Sequence, residues 1–182
     1  MASEELAGLQ ADVGEAAQQG QIKAAEAPVA EGQQALSASE AASLYMYSLD
    51  GSGRQNSAFF SVLNSALRAP DTQTVVPFVD SVWLMLRALE KCPPYRDGRI
   101  VYRGVKVRAD GSGPQPGHYS EGMEVLWRSF SSCSCSLTTL CCEDFAGEEG
   151  EKIVFAVELT TTRARNISAF SKFRHEREVL FP

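Results

Sequence analysis

The stretch ISAFSKFRHEREVLFP, residues 167–182, decides how the chain is read, because it sets two glutamates beside an apolar run at the end of a strand-like segment. Glu176 and Glu178 are two positions apart, so in an extended backbone both carboxylates project to one side while Arg177 points away. Like charges that close raise at least one pKa unless cations or hydrogen bonds compensate. Such a pair suits a reaction that stabilises a cationic transition state while steering a nucleophile, as in glycosidic bond cleavage. Taken alone, it reads equally as a solvated, charged strand start.

Two further segments upstream carry unusual side chains. GRIVYRGVKV, residues 98–107, is a strand signal with β-branched and aromatic residues, and it places Arg103 within an apolar run. A guanidinium cannot shed its charge and needs an anionic partner when partly buried, either an internal carboxylate or a bound phosphate. The hydroxyl-rich run SFSSCSCSLTT, residues 129–139, could hold a carboxylate by hydrogen bonding. It has no nearby His or Lys to activate a nucleophile, and neither His118 nor His175 sits in a hydrolase signature, which argues against serine-hydrolase chemistry.

The order of elements indicates fold class. Residues 1–40 are rich in Ala, Glu, Gln and Gly and offer little to bury, so they read as a flexible or weakly helical leader to a domain over 41–182. Ser37 and Glu40 form a candidate capping box for a helix over 37–49. A second helix is expected over 57–69 with Phe60, Leu63 and Leu67 on one face, and a third over 74–92 with Phe78, Val82, Met85 and Leu89. After Pro93 and Pro94, strands are expected over 98–107, 124–134, 152–160 and 176–182, with a polar loop over 110–122 and a short helix near 139–147. Helices followed by strands is an α+β ordering, without the alternation of a doubly wound sheet or a glycine-rich phosphate loop.

Composition excludes several classes. A net charge of −6 and a pI near 5.0 speak against nucleic acid as partner. No stretch reaches the roughly 18–20 apolar residues of a membrane span, and the first residues lack the pattern of a signal peptide. Five cysteines, four of them at 133, 135, 141 and 142, fit neither a disulfide framework nor the usual spacing of a zinc site, so no metal is expected. A soluble, cytoplasmic monomer is the expectation.

Together and in this order, Arg103, the serine run and the glutamate pair resemble the R-S-E class of NAD:arginine mono-ADP-ribosyltransferases, the family of vertebrate ectoenzymes and bacterial toxins. The resemblance runs from about residue 43 to 182, and its most specific part is the I-x-x-F-S and E-x-E-V-L-x-P text of residues 167–182. Spacings of 29 residues from Arg103 to Ser132 and 46 from Ser132 to Glu178 agree with it. The resemblance implies an ADP-ribosyltransferase fold, with a helical N-terminal part on a mixed, mainly antiparallel two-sheet core around an NAD cleft. It implies NAD as co-substrate and an arginine-bearing protein as acceptor.

Carried over to this chain, Arg103 contacts the NAD phosphates or nicotinamide ribose, and the Gly104 backbone lies near the nicotinamide amide. Ser132, first serine of the S-T-S motif, holds Glu178, which stabilises the charge formed as nicotinamide leaves; Glu176 receives the acceptor guanidinium, and Phe145 packs on nicotinamide. Cys133 stands at the centre of the motif in place of the usual Thr or small residue. The sequence ends at Pro182, soon after the catalytic strand begins, where relatives usually continue, so a closing strand is expected to be missing from the sheet. The alternatives are an NAD glycohydrolase using the same residues and a non-catalytic NAD-binding module.

Overall fold

The computed structural model describes residues 2–29, 33–50, 58–107, 116–140, 151–161 and 163–182. Helices α1 (Ala2–Glu26), α2 (Ala38–Tyr47), α3 (Phe59–Arg68) and α4 (Val79–Lys91) come first. The strands β1 (Ile100–Lys106), β2 (Ser131–Ser134), β3 (Lys152–Glu158), β4 (Arg165–Asn166) and β5 (Glu178–Phe181) follow, with one helical turn, α5 (Leu137–Leu140), after β2. The α+β ordering is therefore as the sequence indicates.

The capping box forms as expected: the Ser37 hydroxyl accepts from the Glu40 N–H at 3.3 Å, and the Ser37 N–H donates to Glu40 Oε2 at 2.7 Å. On α3 the buried face is Leu63 and Ala66, with Phe59 partly buried, while Phe60 is turned outward. The third helix starts at Val79 and not at Thr74, because Pro77 restricts the residues before it to a 3₁₀ turn over Thr72–Phe78. Its face of Phe78, Val82, Met85 and Leu89 packs inward as the spacing predicts.

Among the described residues the strands form one five-stranded sheet in the order β3-β1-β2-β5-β4, with every pairing antiparallel. The pairing agrees with the expected mainly antiparallel core of an ADP-ribosyltransferase fold. β1 and β3 pair along seven residues, whereas β1 meets β2 only at Tyr102 opposite Ser134. β5 lies inside the sheet between β2 and β4, so the glutamate-bearing strand has neighbours on both sides. The strand expected over 124–134 is reduced to Ser131–Ser134; Trp127 is drawn aside onto Arg103 and Phe155, and Leu126 stays exposed.

Alternation along β5 divides its side chains between two cores. Leu180 joins the larger one, where Leu44, Leu63, Met85, Leu89, Ile167 and Phe170 fill the space between helices and sheet. Val179 joins a smaller one with Tyr95, Val101, Cys133 and Ala164. Burying an aliphatic side chain of this size stabilises by about 1.5–3 kcal/mol, so the helical layer dominates cohesion.

The described part of α1 is packed against the next helix. Helix α1 lies against α2, with Ala16 buried beside Tyr45, Met46 and Leu49. Small residues make the approach possible: a Cβ added at Gly20 would fall 2.6 Å from Ala42 Cβ and 2.5 Å from the Ala38 carbonyl. At this contact the small residues let α1 and α2 approach closely.

Candidate functional site

β1, β2 and β5 lie side by side in the sheet, and this brings the three sequence segments together. Ser134 faces Glu178 across the β2–β5 ladder and Ser132 faces Leu180. The Ser132 hydroxyl donates to Glu178 Oε1 at 2.7 Å, a charge-assisted bond between residues 46 apart in sequence. Glu178 is 4% exposed. Burial pushes its pKa above the usual carboxylate range, opposed by the hydrogen bond from the Ser132 hydroxyl.

Arg103 is half-buried, and its Nη1 donates to the Ser132 carbonyl at 2.8 Å. Its guanidinium lies 5.3 Å from the ring centroid of Trp127, which is stacked edge-on against Phe155, itself the β1–β3 partner of Arg103. Tyr119 extends the aromatic group, 4.9 Å from Phe155. The partner that a guanidinium in this strand requires is thus met by a carbonyl and a π-face, neither of which carries a formal negative charge.

Glu176 departs from the expected geometry. It ends a 3₁₀ turn over Arg174–Glu176, and Arg177 adopts a left-handed conformation at φ 48° and ψ 52° before β5 begins at Glu178. The two carboxylates therefore do not alternate along one extended strand. The Ser134 hydroxyl donates to the Glu176 carbonyl at 2.9 Å, fixing the turn against β2.

Cys133, the departure at the centre of the serine motif, is fully buried in the smaller core, and burial pushes its thiol up to about 12. It is a neutral packing residue turned away from the hydroxyls that flank it. Gly104 continues β1 opposite Val154. Phe145 lies outside the described residues, as do Cys141 and Cys142. Among the described residues no group of three or more His, Cys, Asp or Glu is placed to hold a metal ion, and no helix is long and apolar enough to cross a membrane.

Sequence reasoning passed over several contributors. Ser171 was visible only as a letter of the I-x-x-F-S text, yet it is fully buried and its hydroxyl accepts from the Phe173 N–H at 3.3 Å. Trp127 read as a strand residue. Tyr47, on α2, donates to the Phe130 carbonyl at 3.1 Å and accepts from Asn64 Nδ2 at 3.0 Å, bracing the strand entrance to Ser131. Nothing in its local sequence distinguishes it from a core tyrosine.

The solved structures that resemble this fold are ADP-ribosyltransferases. The eukaryotic mono-ADP-ribosyltransferase ART2.2 superposes with a TM-score of 0.65 at 20% identity, covering 98% of this chain and 70% of that one. A mutant of ART2.2 in complex with NAD gives 0.59 at 19%, covering 100% and 76%. The Vibrio splendidus toxin Vis, in complex with agmatine, gives 0.58 at 22%, covering 92% and 73%. Against curated protein sequences the chain has no significant match. The profile of the family described as NAD:arginine ADP-ribosyltransferase matches residues 9–182, nearly the whole sequence, and with the fold in agreement the chain belongs to that family.

Proposed function

We propose that this chain transfers ADP-ribose from NAD to arginine side chains and releases nicotinamide, with Arg103, Ser132, Glu176 and Glu178 as the residues that act. The observation that carries this reading is the buried Ser132–Glu178 bond at 2.7 Å, with the Arg103 guanidinium on the carbonyl of the same serine. A fixed carboxylate beside a developing cation works as preorganised electrostatics, since its position costs no reorganisation when the charge forms. Arg103 supplies the complementary charge for the phosphates of NAD, with its guanidinium 5.3 Å from the Trp127 ring centroid.

Glu176, on its own turn, receives the acceptor guanidinium and orients it toward the anomeric carbon. Family membership and the agmatine complex of Vis support a guanidine acceptor, agmatine being a small guanidine-bearing amine. The Gly104 backbone and Phe145 line the nicotinamide end in this reading.

Incubation with labelled NAD and an arginine-rich acceptor should give labelled acceptor and free nicotinamide. An intact, NAD-binding protein that yields neither would sink the proposal. Glu176→Gln separates transfer from hydrolysis: transfer should fall by about tenfold or more while nicotinamide release persists. Equal loss of both would remove the acceptor role from Glu176.

A further inference from the structure

Helix α4 is apolar on two sides, and only one of them is covered. Phe78, Val82, Met85 and Leu89 pack into the larger core, while Val79, Trp83 and Leu86 are exposed on the outward side. Steps of four and three residues set these three on one stripe, each about a turn from the next. A surface helix ordinarily turns a polar face outward. Single exposed apolar residues are commonplace, whereas a stripe with a tryptophan 60% exposed at its centre is the kind of patch that another macromolecule covers. Tryptophan and arginine are also the side chains most enriched among those that anchor such contacts.

The charges beside the stripe indicate what covers it. At 3.6 residues per turn, Val79 and Leu86 fall to one side of Trp83, and the exposed Asp80 and Arg87 fall to the other. The midpoint of Val79 and Leu86 and the midpoint of Asp80 and Arg87 each lie within half a residue of Trp83. The pattern is therefore complementary to itself. When a second α4 is laid antiparallel against the first with a two-fold axis at Trp83, Val79 meets Leu86, Asp80 meets Arg87, and the two tryptophans meet each other. A parallel arrangement would instead set the charged flank of one copy against the apolar flank of the other.

Within one chain, Arg87 Nη1 contacts Glu90 Oε2 at 3.2 Å, and its guanidinium lies 6.0 Å from the Trp83 ring centroid. That ion pair is exposed and holds Arg87 only weakly, so the guanidinium is able to exchange Glu90 for an aspartate across an interface. The net charge of −6 opposes association of copies in general. Attraction between them has to be local, and two Asp80–Arg87 pairs flanking an apolar contact are placed to supply it.

We infer that the outward face of α4 is a homodimer interface, on which two copies of the chain meet antiparallel about Trp83, in place of the monomer expected from the sequence. The contact is one helix face, so it is small and the dimer is weak and reversible. The inference does not depend on the chemistry proposed above.

Sedimentation equilibrium of the full chain between about 5 and about 500 µM is the test. The weight-average mass should rise with concentration from 19.8 kDa toward twice that value. Wild-type protein that stays at 19.8 kDa throughout overturns the inference and leaves the stripe to a different protein or to a membrane surface. Trp83→Lys should remain monomeric over the whole range, with circular dichroism checking its fold, and Leu86→Lys takes its place should it not fold. A dimer that persists in the folded variant lies on another face and overturns the inference as well.

Charge exchange tests the register. Asp80→Arg sets arginine against arginine and Arg87→Asp sets aspartate against aspartate, so each variant alone should dimerise at least about tenfold more weakly than wild type. An equimolar mixture of the two restores both opposite-charge pairs and should associate within about threefold of the wild-type affinity. A mixture that associates no better than its components overturns the antiparallel pairing about Trp83.

Discussion

Two carboxylates are buried to nearly the same depth in the two halves of the molecule, and they are held in opposite ways. Glu40, at the start of α2, is 6% exposed and accepts at 2.7 Å from both Lys91 Nζ and the Ser37 N–H. Glu178, at the start of β5, is 4% exposed and is held by the Ser132 hydroxyl. Burial pushes both pKa values up; at Glu40 the lysine and the Ser37 bonds outweigh it and the value ends below the usual range, while at Glu178 burial prevails. A lysine partner neutralises a carboxylate and leaves it nothing further to do. A hydroxyl fixes its direction but leaves its charge to be met by whatever cation arrives.

The sharpest break of this contrast is Glu178→Gln, which keeps shape and hydrogen bonding but removes the charge. Nicotinamide release should fall on the order of 10³-fold while the thermal midpoint at neutral pH rises, since the buried charge is gone. Retention of turnover would show that the buried charge is not used. On the other side, Lys91→Met leaves Glu40 buried without its cation and should cost about 2–3 kcal/mol in urea unfolding, since Lys91 keeps some contact with water. Adding Glu40→Gln should recover most of that loss, and turnover per folded molecule should not change.

Stability against pH separates the two by sign. The folded protein binds the Glu178 proton more tightly than the unfolded chain does, so between the ordinary carboxylate pKa and the raised one this group lowers stability as pH rises. Glu40 contributes stability above its unfolded pKa and loses it as pH falls through its lowered value. Urea unfolding at a series of acidic pH values should show Glu178→Gln flattening the first trend and Glu40→Gln the second. Identical profiles for both variants would erase the distinction. The smallest effect is expected from Ser37→Ala, about 1 kcal/mol through loss of the helix cap, read from the same unfolding curves.

The elements written by strong local chemistry were legible in the sequence. The Ser37–Glu40 box, the α4 face and the pairing of Ser132 with Glu178 all follow from residue type and order, the last through resemblance. What could not be read depends on contacts between distant segments. The docking of α1 turns on Gly20 meeting Ala42, and a glycine in an alanine-rich stretch carries no periodic signal. Trp127 looked like a strand residue because its β-propensity was read without knowing that Arg103 would lie beneath its ring. The extended placement of Glu176 failed for a similar reason: nothing in H-E-R-E announces a left-handed arginine.

That left-handed residue separates two tasks which a continuous strand would have fused. With Arg177 in a left-handed conformation between them, the direction of Glu176 is governed by the turn and that of Glu178 by the ladder with β2. Under the proposed roles, acceptor choice and NAD chemistry are then modular. Residues 173–177 form a cassette in which substitution can redirect the enzyme toward a different nucleophile, while 178–181 and its hydroxyl partner keep the donor half of the reaction intact. A new specificity could arise in this scaffold by rewriting five residues, without re-evolving the site that handles NAD.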